Sequence, residues 1–228
     1  MCNFLSALVL KNGDVLHHPM LDSHADLVRY FKLPDTDAHI QHFAKVELTP
    51  VDWADAATWN FRVDEEVLPV WWADVASAVE GTLRSRAAGM ILKDGDHDLI
   101  VDGCWIVAGT AKVRDVRSGR IILVQDSAQI SNVGGSAQIS GVWDSAQISG
   151  VRGSAQISGV RDSAQISGVR GSAQISNVGD SAQISNVGGL ARISNVGGLA
   201  RISNVWGSAT LDASAKAHVI VPVDAVTP

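Results

Sequence analysis

Cysteines and long apolar segments are scarce in this chain. Two of its 228 residues are cysteines, Cys2 and Cys104, which is too few for a disulfide framework and favours a reducing compartment. No run of eighteen apolar residues occurs, so we expect no transmembrane helix and no membrane partner. The first residues place no basic region before their apolar stretch, so we expect no secretory signal. These features predict a cytoplasmic protein.

Aromatic residues and positive charge are also in short supply. Phe, Trp and Tyr make up 5% of the chain, although seven of them are tryptophans, and the net charge is −6. Residues 1–97 have 15 acidic and 8 basic side chains, a net charge of −7, whereas residues 98–228 have 9 and 10, a net charge of +1. Neither part has the strongly basic surface typical of nucleic-acid binding, so the charge does not predict a nucleic-acid partner.

The dominant feature of the sequence is a nine-residue repeat, D/G-S-A-Q-I-S-N/G-V-x. Its Ala and Ile alternate with Ser and Gln, which predicts a short strand with Ala and Ile inward. In the first nine units the seventh position is Asn or Gly, two residues that tolerate positive φ, so we expect the chain to turn there before an inward Val. The units start at Asp126, Gly135, Asp144, Gly153, Asp162, Gly171, Asp180, Gly189, Gly198 and Gly207.

The first position of the repeat alternates between Asp and Gly from residue 126 to residue 189. The full period is therefore eighteen residues, and one coil has two nine-residue sides. A strict short period of this kind is typical of a solenoid. We predict an α+β capping domain over residues 1–97, a parallel β-solenoid over residues 98–211, and a C-terminal cap or tail over residues 212–228.

The region before the repeats predicts mixed secondary structure. "FLSALVLKNGDVLHH" reads as two strands joined by an Asn12-Gly13 turn. Ser23 with Asp26 three residues later has the pattern of a capping box at the start of a helix. A second helix is predicted from Pro69, which suits a first helical turn, to about Ala88. We expect this domain to cap one open end of the solenoid and the tail to cap the other.

Several repeat positions are candidates for binding. Asp144 and Asp162 stack one coil apart, and we expect Arg161 to neutralise both and to lie on Trp143. Glutamines stacked on the outer faces are expected to exchange amide hydrogen bonds between coils. Leu190 and Leu199 replace outward serines, and exposed leucines at such positions indicate a cover, either the tail or a second subunit.

The N-terminal sequence resembles a known kind of module. The segments "MCNF", "NGDVL" and "DSHADLVRYF", followed by "KVELTP", "FRVDEE" and "WW", are similar to the N-terminal module of uncharacterised phage and bacterial proteins that have GSAQI-type repeats behind it. The resemblance covers essentially the whole chain. It implies a setting in the cytoplasm of a bacterial host cell, and it leaves open an inhibitor of host defence that uses the acidic domain as a mimic.

Cys2 is the candidate nucleophile. Removal of Met1 would leave an N-terminal cysteine whose own amine can act as base. The start is similar to class II glutamine amidotransferases and to SRAP proteins, which couple such a cysteine to abasic DNA. Those families have Cys-Gly and Cys-Gly-Arg, whereas this chain has Cys2-Asn3-Phe4, so the resemblance is incomplete. Helper side chains would be drawn from Asn3, His17, His18, His24 and Glu47, and the alternative is that Cys2 is a small residue beginning a buried strand.

The sequence predicts no cofactor and no metal site. The histidines near His17 and His24 have no cysteine partners, and the segment that contains them reads as a turn. The leading hypothesis is a non-enzymatic β-solenoid scaffold or binding protein that takes a protein partner or associates with itself through the solenoid. The alternative is a hydrolase, transferase or DNA-reactive protein that uses Cys2, and a nucleic-acid partner is expected only under that alternative.

Overall fold

The computed structural model describes residues 5–34, 36, 38–213 and 218–220. The chain divides into two units after Ile91, six residues before the boundary that the sequence predicts. The difference arises because Ile91–Leu92 and Asp96–Ile100 already form solenoid strands, although their sequences lack the letters of the repeat. Within the described residues, no helix has the length and apolarity that a membrane crossing requires.

A four-stranded antiparallel sheet forms the centre of the N-terminal unit. Its strand order is β2-β1-β3-β4. The predicted hairpin is confirmed, because β1 and β2 pair on either side of a turn in which Gly13 has a φ of +89°. The strands are β1 (Leu5–Leu10), β2 (Val15–Leu16), β3 (Phe43–Thr49) and β4 (Asn60–Val63).

Two α-helices, α1 (His24–Phe31) and α2 (Trp72–Gly89), belong to this unit, together with 3-10 turns at His39–Gln41 and Ala56–Thr58. Helix α1 buries Leu27 and Val28 against the sheet residues Leu8 and Phe43. Ser23 occupies the N-cap position, but its side chain makes no capping hydrogen bond. The predicted capping box is therefore wrong, since Asp26 pairs instead with Arg29.

The second unit is a parallel β-solenoid, as the sequence predicts. Its strands alternate between two sheets, and each sheet has eight strands among the described residues. One sheet contains β5 (Ile91–Leu92), β7 (Cys104–Val107), β9 (Arg120–Val124), β11 (Gln138–Ile139), β13 (Gln156–Val160), β15 (Gln174–Val178), β17 (Arg192–Val196) and β19 (Thr210–Ala213). The other contains β6 (Asp96–Ile100), β8 (Lys112–Val116), β10 (Gln129–Val133), β12 (Gln147–Ser149), β14 (Gln165–Val169), β16 (Gln183–Val187), β18 (Arg201–Val205) and β20 (His218–Ile220).

The strand register confirms the eighteen-residue coil. Gln129 pairs with Gln147, and Gln156 pairs with Gln174, so each residue meets the residue eighteen positions later. The Ala, Ile and Val of the units point inward and are buried from Ala128 to Ile202, which produces a narrow continuous core, and Val205, Ala209 and Leu211 are partly buried against it. The first coils are shorter, because Cys104 pairs with Arg120 sixteen residues later.

The corners of the solenoid confirm the prediction in part. The seventh residue has a positive φ, as predicted, in seven of the nine units that have Asn or Gly there, for example 64° at Gly159 and 57° at Asn186, but not at Asn132 or Gly141. Strands such as β13 and β16 nevertheless continue through this position to the Val. The chain turns at the start of each unit, where the first residue also has a positive φ in all ten units, for example 55° at Asp144 and 66° at Gly153. The Asp/Gly alternation therefore reflects two residues that tolerate the left-handed conformation.

Candidate functional site

The two corners of the solenoid differ in charge. The corner that follows the β9 sheet, here called the acidic corner, exposes four aspartates between residues 109 and 207. One carboxylate oxygen of each accepts a hydrogen bond from a backbone N–H one coil earlier, at 2.8 Å for Asp126 on Gly109 and 3.2 Å for Asp162 on Asp144. This ladder holds each side chain in place and offsets part of the repulsion between stacked like charges. Its members are Asp126, Asp144, Asp162 and Asp180.

The ion pairs predicted for Arg161 do not form in the described part of the chain. No side-chain nitrogen of Arg161 lies within 4.0 Å of the carboxylates of Asp144 or Asp162, whose recorded partners are backbone N–H groups. The predicted contact of Arg161 with Trp143 is likewise not recorded there. Trp143 is half-buried and lies against Gly141, where its indole nitrogen would be 3.0 Å from an added Cβ. Arg161 is therefore exposed at the acidic corner.

The opposite corner, here called the basic corner, has arginines at the position that precedes the first residue of a unit. Arg117, Arg152 and Arg170 are exposed along it, and its first-position residues in the repeat are all glycine. The guanidinium of Arg170 lies 5.9 Å from the ring centroid of Trp206, within the range of a cation–π contact. An eighteen-residue period thus separates opposite charges onto two corners.

Each corner also has one exposed leucine. Leu190 on the basic corner is 63% exposed and Leu199 on the acidic corner is 64% exposed. The described part of the tail, which extends the two sheets as β19 and β20, leaves both leucines open to solvent. The rest of the tail that the sequence predicts as a cap, residues 214–217 and 221–228, lies outside the described residues. A cover by the described tail is therefore ruled out for these two side chains.

The outer faces of the sheets are shallow polar troughs. One trough, of about 500 Å³, runs across β11 to β19 and is lined by the Gln and Ser columns around residues such as Gln156 and Ser158. The other, of about 290 Å³, lies on the β10 to β18 face. Amide ladders form among asparagines, such as Asn195 to Asn177 at 3.1 Å, and no side-chain hydrogen bond between the predicted glutamine pairs is recorded in the described repeats.

The N-terminal unit places some of the predicted catalytic residues together. Cys2 and Asn3 lie outside the described residues, so the nucleophile hypothesis stays a prediction. His24 and Glu47, both 5% exposed, lie with Asp64 in a cluster whose donor atoms are all within 4.8 Å of one another. Sequence reasoning missed Asp64, because it follows β4 and is distant along the chain from the histidines.

The hydrogen bonds of this cluster define its chemistry. His24 Nε2 donates to the carbonyl oxygen of Val46 at 3.0 Å, and His24 Nδ1 faces Asp64 Oδ2 at 3.3 Å. Arg62 bridges the two carboxylates, at 3.2 Å from Glu47 and 2.9 Å from Asp64. The guanidinium therefore supplies the cation between the carboxylates. Both ring nitrogens are engaged, so the imidazole is fixed in orientation by a carbonyl and a carboxylate.

A second histidine–carboxylate pair lies in a cleft of about 480 Å³. Nε2 of His39 lies 3.0 Å from both carboxylate oxygens of Glu65, and Nδ1 lies 3.0 Å from the carbonyl oxygen of Thr36. Glu65 Oε1 also accepts a hydrogen bond from the backbone N–H of Lys45 at 2.8 Å. These contacts tie the 3-10 turn at His39–Gln41 to the ends of β3 and β4, which is a stabilising arrangement.

His17 is not a member of the His24 cluster, and its charged neighbours are Arg86 and His18. Burial, then the positive charge of Arg86, and then His18 lower the pKa of His17 from 6.5 to about 4. Between these pKa values the unfolded chain binds a proton that the folded chain does not. The contribution of neutral His17 to stability is therefore complete above about pH 6.5 and is lost progressively as the pH falls towards 4.

We predict that His17→Gln reduces the pH dependence of unfolding between pH 6.5 and pH 4. Urea denaturation followed by circular dichroism across this range measures the slope of the unfolding free energy. His42→Gln serves as the control, because His42 is exposed. An unchanged slope in His17→Gln would show that His17 does not titrate as the geometry indicates.

Comparison with known proteins gives no relative. No protein-family model, curated protein or solved structure matches the chain. The class is therefore defined by its architecture, as a β-solenoid repeat protein with a small α+β unit at its N-terminus.

Proposed function

We propose that the protein is a non-enzymatic scaffold that associates with copies of itself through the acidic and basic corners of the solenoid. The observation that supports the proposal most directly is the separation of charge onto two corners with the same coil spacing. Four aspartates and Arg161 give the acidic corner a net charge of −3 between residues 109 and 207, and three arginines give the basic corner +3. Complementary columns of this kind favour association between identical chains.

The exposed leucines support the same proposal. All units except those that start at Gly189 and Gly198 have Ser at the second position. In these two units Leu190 and Leu199 replace Ser and add exposed apolar surface to both corners. Single exposed apolar side chains are common on protein surfaces, but these two leucines replace the serine that the other units have at the same position. Charge pairs on exposed surfaces contribute only about 0.2–1 kcal/mol each, so apolar contacts are needed for measurable affinity.

Sedimentation velocity tests this proposal at 50 mM and 500 mM salt. We expect species larger than the monomer at low salt, with a shift towards monomer at high salt, because salt screens exposed charges. Leu190→Ser/Leu199→Ser, which restores the residue of the other units, is expected to weaken association. Val67→Ser/Leu68→Ser is the control, because it removes two exposed apolar side chains from the N-terminal unit.

The proposal fails if the protein remains monomeric at low salt up to about 100 µM, a concentration that would reveal even weak complexes. Equal weakening by the control pair would show that general surface hydrophobicity, and not the solenoid corners, determines association.

A further inference from the structure

The repeat places corresponding residues on the two corners nine positions apart. Each nine-residue unit begins at a corner, and successive units begin at alternate corners. Within the ten units, a residue on the basic corner therefore has a counterpart on the acidic corner nine residues later, about half a coil further along the solenoid. Because the coil spacing is a property of the parallel sheets, at about 4.8 Å per strand, two copies placed side by side stay level over many coils.

Opposite charges meet in one such alignment. When the basic corner of one copy lies beside the acidic corner of another with counterparts level, Arg117 is adjacent to Asp126. Val116 pairs with Val133 and Val124 with Val142, so the residue level with Arg117 is Gln125, one before Asp126. Two coils further on Arg152 is adjacent to Asp162, and three coils further on Arg170 is adjacent to Asp180. In each pair the aspartate is the residue that follows the counterpart of the arginine. The side chains of these arginines are exposed, as are the aspartates.

The same alignment brings together the two exposed leucines. Leu190 on the basic corner has Leu199 as its counterpart nine residues later, and these are the two repeat positions where Ser is replaced by Leu. Trp143 on the acidic corner has Gly134 as its counterpart. An added Cβ at Gly134 would meet nothing within 4 Å, so the space there can receive a large side chain.

We propose that copies of this chain associate in parallel, with the basic corner of one solenoid against the acidic corner of the next and with residues nine positions apart level. This inference rests on the proposed function and specifies its surface. The contact uses two different patches, so a pair of copies keeps one free acidic corner and one free basic corner, and the assembly is open-ended.

Neighbouring alignments fit less well. Sliding one copy by a whole coil in the direction that sets Arg152 beside Asp144 places Arg117 beside Gly109 and Leu190 opposite Ser181. The proposed alignment has one unfavourable element, because Arg161 is the counterpart of Arg152. The strongest charge pairs are therefore expected at Asp126 and Asp180, and these define the test.

The test uses two variants with reversed corners. In the first, Arg117→Glu/Arg170→Glu makes the basic corner acidic. In the second, Ser127→Arg/Ser181→Arg is combined with Asp126→Asn/Asp180→Asn, because Asn tolerates the positive φ of these positions and retains an oxygen acceptor. Circular dichroism is used to check that both variants fold, and Lys112→Glu/Arg201→Glu on one sheet face controls for the change in net charge of the first variant.

For each variant alone, the dissociation constant of self-association is expected to be at least about tenfold higher than for the original chain, because like charges face each other. An equimolar mixture is expected to regain association, since each altered corner then meets a complementary one. If the original chain associates but the variants associate equally well alone, the alignment is wrong and the scaffold proposal stands. If the original chain does not associate, the scaffold proposal itself is wrong.

Discussion

Replacement of Ile157 by Asp is expected to unfold the central coils of the solenoid. Ile157 is 1% exposed and stacks between Ile139 and Ile175 in the β11-β13-β15 register. A carboxylate at this position would be buried among Ala, Ile and Val side chains with no cation or hydrogen-bond donor to pair with. Even Ile157→Ala is expected to lower the free energy of unfolding by about 2–5 kcal/mol, because it leaves a cavity in a narrow core made of Ala, Ile and Val.

Chemical denaturation followed by circular dichroism measures both effects. Gln156→Asp is the matched control, because Gln156 is adjacent and exposed, and changes at such sites are usually within about 0.5 kcal/mol. Native-like stability of Ile157→Asp would mean that the isoleucine column does not face the core.

Gly135→Ala is expected to have the second largest effect. Gly135 has a φ of +57°, and an added Cβ would lie 2.2 Å from the backbone carbonyl oxygen of Arg117. The left-handed conformation alone costs about 1–2 kcal/mol for a residue with a side chain. The two coils would also have to separate, which would weaken the hydrogen bond from Ser136 N–H to the same oxygen. We expect a total loss of stability above about 2 kcal/mol.

Gly134 provides a control one residue away. Its φ is not positive, and an added Cβ would meet nothing within 4 Å, so Gly134→Ala is expected to leave the unfolding free energy nearly unchanged. The two alanine variants are compared by denaturation at high salt, where the chain is expected to be monomeric. Equal stabilities would contradict the close approach of coils at the first position of each unit.

The solenoid could be predicted from the sequence because its signals are local and repeated. The alternation of Ala and Ile with polar residues defines the inward face, which the burial of these residues confirms. The Asp/Gly alternation defines the coil length, which the register of Gln129 with Gln147 confirms. The left-handed conformation at most seventh positions follows from their Asn and Gly residues, but the turn lies at the first position, where Asp and Gly carry the same conformational signal. Periodicity alone does not distinguish a turn from a left-handed residue within a strand.

The polar contacts were harder to predict, because they depend on distances between chain segments. The side chain of Asp144 binds a backbone N–H one coil away, whereas sequence reasoning assigned its charge to Arg161. His24 and Glu47 were both candidates, but their meeting with Asp64 and Arg62 depends on the pairing of β3 with β4. The cluster could have been found only with that pairing known.

The most direct test of the assembly is a cysteine cross-link between Leu190 and Leu199 of different copies. Both native cysteines are first replaced by serine, and Leu190→Cys and Leu199→Cys proteins are prepared separately. Treatment with a short bifunctional thiol reagent at low salt is expected to give covalent dimers in the mixture and few in either protein alone, because unlike corners meet. Dimers formed equally by each protein alone, or none in the mixture while association persists, would contradict the parallel corner-to-corner contact.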